Sequence, residues 1–333
     1  MKLSDFNYNL PKEKIAQHTV FPKSYSKLMV LKNDRIEHRR FYNIIDYLRK
    51  GDALVINTTK VSRVKFLSKK TTGASAEITL EEQIDDYRFK VRVVRSSSVK
   101  IGNTLLLKEG ITAKVYDIVN DLYFLEFNKK ILDYADKIGL LPKPPYIMRE
   151  VTDKEYQTVY SKQEGSRAAP TAGLHFTKNL LRRIKRKGIK IAEVCLHVGY
   201  GTFLPIREQD FTKHKMQREY YTIDEESAKI INNRKGRLFV VGTTALRCLE
   251  TASESKGVVK AGSGFSELFI YPGYRFKLNN FNIITNFHFP KSSLLLMISA
   301  YWPWKKLKTA YETAIKNNYR FFSLGDAMLL LKY

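Results

Sequence analysis

The chain has 333 residues, 44% hydrophobic and 27% charged, a globular composition that excludes a disordered chain. Lys and Arg number 58 against 33 Asp and Glu, a formal charge of +25, which points to a polyanionic partner, either nucleic acid or an acidic membrane face. The most apolar run, Leu294 to Trp302, is too short for a bilayer span, Met1-Lys2-Leu3-Ser4-Asp5 lacks a signal-peptide core, and Cys195 and Cys248 cannot build a disulfide framework or a thiolate zinc site, so a soluble cytoplasmic protein is expected.

In chain order, Tyr42 to Leu48 reads as a short helix, Gly51-Asp52 as a turn, and Ala53-Leu54-Val55-Ile56 as a buried strand. From Lys60 to Phe127 the texture is all strand: Val61 to Leu67, Ala76 to Glu81, Tyr87 to Arg95, Thr104 to Leu107, Ile111 to Val119 and Leu122 to Phe127. Phe89, Val91 and Val93 alternate with Lys90 and Arg92, and turns at Gly73, Gly102-Asn103 and Gly110 have the spacing of a small antiparallel barrel. A helix is expected only at Lys130 to Ile138, and Pro142-Lys143-Pro144-Pro145 is a rigid connector. Beyond it Thr152 and Glu155 suggest a capping box, and Thr177 caps a helix through Lys187 before a strand, Ile189 to Val198. Asp224 opens a helix ending at Gly236, Arg237 to Val241 is a strand, and a helix follows over Ala245 to Ser255. Ile283 to Phe287 and Ser292 to Tyr301 repeat the strand and helix. The expected architecture is an α/β main domain (residues 1–57 and 151–333), with a mixed or barrel-like sheet and flanking helices, interrupted by an inserted all-β barrel domain (58–150).

Three expected strands end in clusters of small, polar and histidine residues: Leu196 to Phe203, Gly242 to Arg247, and Thr285 to Pro290. If the strands are parallel, these ends share the sheet edge where α/β proteins build ligand sites. His197 and His288 lie there, and His175 lies in a small-residue loop, Ala168 to Phe176. Each histidine has a structural reading, as a buried hydrogen-bonder; three together in such loops favour function. Thr243 and Thr244 either cap their helix or leave its N–H groups for an anion, and Arg247 either pairs with that anion or is solvated. Asp326 either orients a histidine or caps a terminal helix. No Walker segment, dinucleotide fingerprint or zinc pattern occurs, so no metal is expected. Two basic clusters are candidate phosphate contacts: Lys60, Arg63, Lys65, Lys69 and Lys70, and Arg182, Arg183, Lys185, Arg186, Lys187 and Lys190.

The clusters are also where the sequence closely resembles the S-adenosylmethionine:tRNA ribosyltransferase-isomerase family of the queuosine pathway. The resemblance opens with Asp5-Phe6-Asn7-Tyr8-Asn9-Leu10-Pro11 and takes in Leu141 to Ile147, Tyr156 to Tyr160, and Ala168-Ala169-Pro170-Thr171-Ala172-Gly173-Leu174-His175-Phe176. It continues through Leu196 to Phe203, Val241 to Arg247, Ile270 to Gly273 and Thr285 to Pro290, and closes with Tyr319 to Asp326. The family has His at the Gln217 position and favours Arg at the Lys60 position.

The resemblance implies a tRNA substrate carrying the aminomethyl-deazaguanine base at the wobble position. S-adenosylmethionine would be consumed as co-substrate, with no further cofactor, donating its ribosyl part to give epoxyqueuosine, adenine and methionine. It also implies an α/β domain with an inserted β-barrel. For that chemistry His175, His197 and His288 are the expected acid/base pool. Thr171, Phe176, Thr202, Thr243, Thr244 and Asn286 are expected to position substrate, Arg247 to meet the methionyl carboxylate, and Glu219 to hold a ribose hydroxyl or the amino group. Lys60, Arg63, Arg182, Arg183, Arg186 and Lys187 are expected on tRNA, and the protein is expected to be monomeric. A non-catalytic tRNA-binding protein and a base-modifying transferase with another donor are the alternatives.

Overall fold

The computed structural model describes residues 2–33, 35–94, 99–199, 201, 206, 208–254 and 256–333. The chain divides into two compact units, one of Met1–Lys60 with Pro144–Tyr333 and one of Val61–Lys143. Strands β1 (Lys27–Lys32), β2 (Arg35–Arg40), β3 (Ala53–Asn57) and β4 (Thr59–Val61) come first, then β5 (Lys65–Lys70), β6 (Ser75–Gln83), β7 (Arg88–Val94), β8 (Thr104–Leu106), β9 (Thr112–Val119) and β10 (Leu122–Phe127). After these come β11 (Gln163–Ser166), β12 (Lys190–Leu196), β13 (Glu219–Ile223), β14 (Leu238–Val241), β15 (Gly262–Ser266), β16 (Phe281–Asn286) and β17 (Ala327–Leu331). The helices are α1 (Ala135–Ile138), α2 (Asp153–Tyr156), α3 (Lys178–Arg186), α4 (Glu225–Asn232), α5 (Thr243–Ala252), α6 (Ser293–Tyr301) and α7 (Trp304–Lys316).

The larger unit carries a nine-stranded sheet in the order β15-β13-β12-β3-β14-β16-β17-β1-β2. Its centre, β12, β3, β14 and β16, is parallel, so Leu196, Asn57, Val241 and Asn286 all end on one edge. Period-two alternation divides the strands between two cores. Ala53, Val55, Leu238 and Val240 pack with α4 to α7 on one face. Leu54, Ile56, Phe239 and Val241 pack on the other, under Leu180 and Ile184 of α3 and under Phe41 and Ile44. Covered on both sides, β3, β14 and β16 are buried along their whole length.

In the smaller unit β10-β7-β6-β5-β8-β9 close into a barrel, antiparallel at every pairing. Phe66, Ile78, Phe89, Val91, Leu105 and Leu125 fill it, and closure leaves no edge strand unpaired.

Four differences from the sequence reading have physical causes. The sheet also takes β1, β2 and β17, and β17 inserts between β16 and β1. Met328, Leu329, Leu330 and Leu331 form an unbroken apolar run with no alternation to mark it as a strand. Phe41–Tyr47 is a 3-10 helix. Val61 ends β4, which pairs with β11, so the first barrel strand starts later than expected, at Lys65. Asp326 caps no terminal helix. It sits at the start of β17, where Oδ1 accepts from the Lys27 N–H at 2.9 Å and Oδ2 from the Arg320 N–H at 2.8 Å.

Candidate active site

At the edge where the parallel strands end lies a cavity of about 630 Å³, the size of a small-molecule site. Its walls are the loop Ala169 to Ala172, the turn Gly242-Thr243-Thr244 and the segment Thr285 to Ser292, together with Leu3, Tyr146, Val198, Ile206, Phe322 and Ser323. Thr171, Thr243, Thr244, Asn286 and His288 are therefore brought together, although 171 and 288 are far apart in the chain.

The turn into α5 sets one wall. Gly242 has φ of +88°, a left-handed conformation a side chain would strain, and its N–H donates to the Ile284 carbonyl at 2.8 Å. Neither threonine caps the helix: no side-chain cap is present, and Thr244 Oγ1 accepts instead from Asn57 Nδ2 at 3.1 Å. The first-turn N–H groups thus stay uncapped by side chains, the arrangement that favours an electron-rich ligand.

Asn286 sets the opposite wall. Its Nδ2 donates to His175 Nε2 at 3.2 Å and to the Phe322 carbonyl at 3.1 Å. Its Oδ1 is buried without a partner. An unmatched buried carbonyl costs about 1–3 kcal/mol. Beside it, His288 Nε2 bonds Thr285 Oγ1 at 2.8 Å, while the His288 backbone is held by the Tyr8 and Tyr311 hydroxyls. Burial pushes the His288 imidazole down to about 3, so it is neutral at physiological pH.

The third wall is aromatic. Phe289 and Phe322 stack with centroids 3.5 Å apart, and Tyr146 packs against both. Phe322 has φ of +70°, rare for a bulky residue, and the Tyr146 hydroxyl, pushed up to about 12 by burial, bonds Ser323 Oγ at 2.6 Å. Thr285 and Phe289 lie in the strand-end cluster Thr285 to Pro290 but were not singled out, and Tyr146 and Phe322 were missed as site residues. The adjacent aromatics in Arg320-Phe321-Phe322 were the available signal.

The other expected residues lie elsewhere. His175 stands behind the wall: buried, it bonds Ser26 Oγ through Nδ1 at 2.8 Å and faces Phe41 at 4.9 Å. Burial brings it down to about 4; Asp326 opposes the shift, and Arg320 and Lys23 add to it. His197, just past the end of β12, points to the opposite side of the sheet from the cavity-lining Val198. Its Nδ1 bonds Thr59 Oγ1 at 2.8 Å, which in turn bonds Ser166 Oγ at 2.7 Å, and Gly165 leaves the room its ring occupies. Burial, then Arg167, lowers its basicity. The three histidines do not form one cluster.

Phe176 is a core residue, fully buried edge-on to Phe41 at 4.9 Å. Glu219 and Arg247 are buried and ion-paired with each other rather than lining the cavity, and Glu219 Oε1 also accepts from the Gly199 N–H at 2.8 Å. Burial brings Arg247 down to about 10. Thr202 lies outside the described residues.

The basic candidates scatter as well. Lys60 pairs with Glu164 at 2.6 Å, and Arg63 donates to the Gly139 carbonyl at 3.3 Å. On α3, Arg182 lines a groove with Lys178 and Lys185, whereas Lys187 turns away to the Ile45 carbonyl at 2.7 Å; Arg183 and Arg186 are exposed. Gly188 abuts Lys50, just before β3 starts, so α3 runs away from the cavity edge. Among the described residues no group of three or more His, Cys, Asp or Glu is arranged to hold a metal, and no helix is long and apolar enough to cross a membrane.

This site sits in a chain with close known relatives. It is 45% identical over 342 residues to the S-adenosylmethionine:tRNA ribosyltransferase-isomerase of Desulforamulus reducens, covering 99% of this chain and 100% of that one. It is also 45% identical over 340 residues to the protein of the same name from Thermotoga petrophila, again over 99% and 100%. The crystal structure of S-adenosylmethionine tRNA ribosyltransferase from Thermotoga maritima is similar at 35% identity and a TM-score of 0.56, over 98% of this chain and 100% of that one. Residues 3–330 match the queuosine biosynthesis protein family, and with full-length identity at this level the chain belongs to that family.

Proposed function

We propose that the protein transfers and isomerises the ribosyl moiety of S-adenosylmethionine onto the 7-aminomethyl-7-deazaguanine wobble base of tRNA, giving epoxyqueuosine-tRNA, adenine and methionine. The observation that carries it is the cavity at the parallel strand ends, in a chain related over its full length to ribosyltransferase-isomerases. A tRNA substrate agrees with the charge of +25, and S-adenosylmethionine is a reactant, not a resident cofactor. A monomer in the cytoplasm, with no bound metal, belongs to the same proposal.

The chain's own groups suit the steps. The sulfonium acidifies the 5′ hydrogens of the ribose, and a base that removes one drives loss of adenine, which must itself gain a proton. His288 is the histidine that lines the cavity, and its position there assigns it to proton transfer. The aromatic wall of Tyr146, Phe289 and Phe322 suits a flat purine, and the α5 N-terminus suits a carboxylate. Thr171, Thr243 and Thr244 offer hydroxyls for orientation.

The test is product analysis with purified protein, S-adenosylmethionine and tRNA carrying the aminomethyl base. Adenine and methionine are the expected products without added metal or nucleotide. Release of S-adenosylhomocysteine would overturn the ribosyl transfer. Tight tRNA binding with no turnover would leave a binding protein.

A further inference from the structure

The bare face of the sheet edge carries an aromatic row. Tyr220 on β13 is paired directly opposite Phe265 on β15, with ring centroids 5.5 Å apart, and both are exposed, at 39% and 54%. On the inner side the Tyr220 carbonyl accepts from the His197 N–H at 2.9 Å, and the two rings lie nearly parallel, 19° apart at 6.1 Å. The Arg218 guanidinium lies over Phe265 at 4.2 Å, a cation–π contact, with Glu267 at 3.3 Å as its acidic partner. Three adjacent chain segments thus present His197, Tyr220 and Phe265 on one face.

Register shows which face this is. Cys195 pairs with Thr222, so His197 and Tyr220 share the side of β12 that bears Ile191 and Glu193. On that side Ile191 and Glu193 form a groove of about 480 Å³ with Lys178, Leu181, Arg182 and Lys185 of α3. Glu193 is paired with Lys162; Lys178, Arg182 and Lys185 have no acidic partner among the described residues. One face of the sheet therefore combines open aromatic rings with a bank of unmatched cations. Val198, next to His197 in the chain, points to the other face and lines the cavity, so the row and the cavity flank the end of β12 from opposite sides.

We infer that this face is a docking surface for two or three unpaired nucleotides of RNA, with bases stacked on Tyr220 and Phe265 and phosphates on Arg182, Lys185 and Arg218. The pairing of exposed rings with cations selects the occupant: an acidic protein segment would answer the cations alone, whereas single-stranded RNA supplies both flat rings and phosphates. The inference rests on the proposed function, in which tRNA is the substrate.

The test uses fluorescence anisotropy with two RNAs, an anticodon stem-loop and the same sequence with its loop paired into duplex. Wild type should bind the open loop more tightly. Tyr220→Ala and Phe265→Ala should each weaken loop binding about 10-fold while leaving duplex binding unchanged. Tyr220→Phe and Phe265→Tyr, which keep the rings, should bind as wild type, and thermal melts show that the alanine variants are folded. In turnover the alanine substitutions should raise KM for tRNA and leave kcat unchanged at saturation. Loop affinity that survives both alanine substitutions overturns the platform and leaves the proposed function standing. So does a concentration-dependent dimer lost in Phe265→Ala at unchanged RNA affinity, which assigns the face to a second copy. Wild-type protein that binds no tRNA overturns both readings.

Discussion

Asn286 donates a hydrogen bond to His175 Nε2 at 3.2 Å, and that bond requires the nitrogen to be unprotonated. With Nε2 as acceptor, Nδ1 carries the proton and faces Ser26 Oγ at 2.8 Å. His175 is thus a buried neutral ring that orients the side-chain amide of a cavity-lining residue. His175→Gln is expected to lower kcat by about 10²-fold through misplacement of that amide, with an unchanged pH profile of kcat/KM. Loss of one limb of the profile would show that His175 itself carries the proton.

His288 is expected to behave differently. His288→Ala should lower kcat by about two to four orders of magnitude and remain folded in a thermal melt. A folded variant that turns over at the wild-type rate removes His288 from the chemistry.

Both buried histidines link stability to pH. Their folded values, about 4 for His175 and about 3 for His288, lie below the unfolded value near 6.5. Between those limits the unfolded chain binds protons that the folded chain refuses, so stability falls as pH drops from 6.5 and is fully present above it. Urea melts at pH 7, 6 and 5 should show the decline, and His175→Gln should flatten its slope by about one proton. A slope unchanged in that variant would mean that His175 is already charged in the folded protein.

The Glu219–Arg247 pair gives a separate test of the site's frame, because both groups are buried and the Gly199 N–H leans on the carboxylate. Glu219→Gln strands the guanidinium and should cost about 3–5 kcal/mol by urea unfolding. Glu219→Leu combined with Arg247→Met should recover most of that loss, because a matched apolar pair carries no desolvation cost. Were Glu219→Gln neutral instead, Arg247 would need another counter-charge.

Phosphate contact should make tRNA affinity salt-dependent, by roughly tenfold or more over a fourfold rise in salt. Arg182→Ser with Lys185→Ser should flatten that slope more than Arg183→Ser with Arg186→Ser, since only the first pair lines the groove beside the aromatic row. An equal effect of the two pairs would indicate a diffuse field rather than a located surface.

Much was legible in the sequence because it is written locally. Thr152 and Glu155 do form a capping box, Thr177 does cap α3, and the alternation of Phe89, Val91 and Val93 does mark a barrel strand. The strand-end clusters were equally plain, since small residues, threonines and histidines after an apolar run are unusual wherever they fall. What the chain could not show by itself was direction. His197 and Val198 are neighbours, yet pleating sends one toward Thr59 and the other into the cavity. Arg247 looked free for an anion until β13 brought Glu219 against it. His175 and Asn286, one a presumed proton carrier and the other a presumed ligand contact, became one unit only when the 3-10 turn Thr171–His175 packed against β16. Residue type and local pattern determined which groups were available; the order and pleat of the sheet decided which of them meet, because partners separated by a hundred residues are chosen by strand pairing and not by spacing.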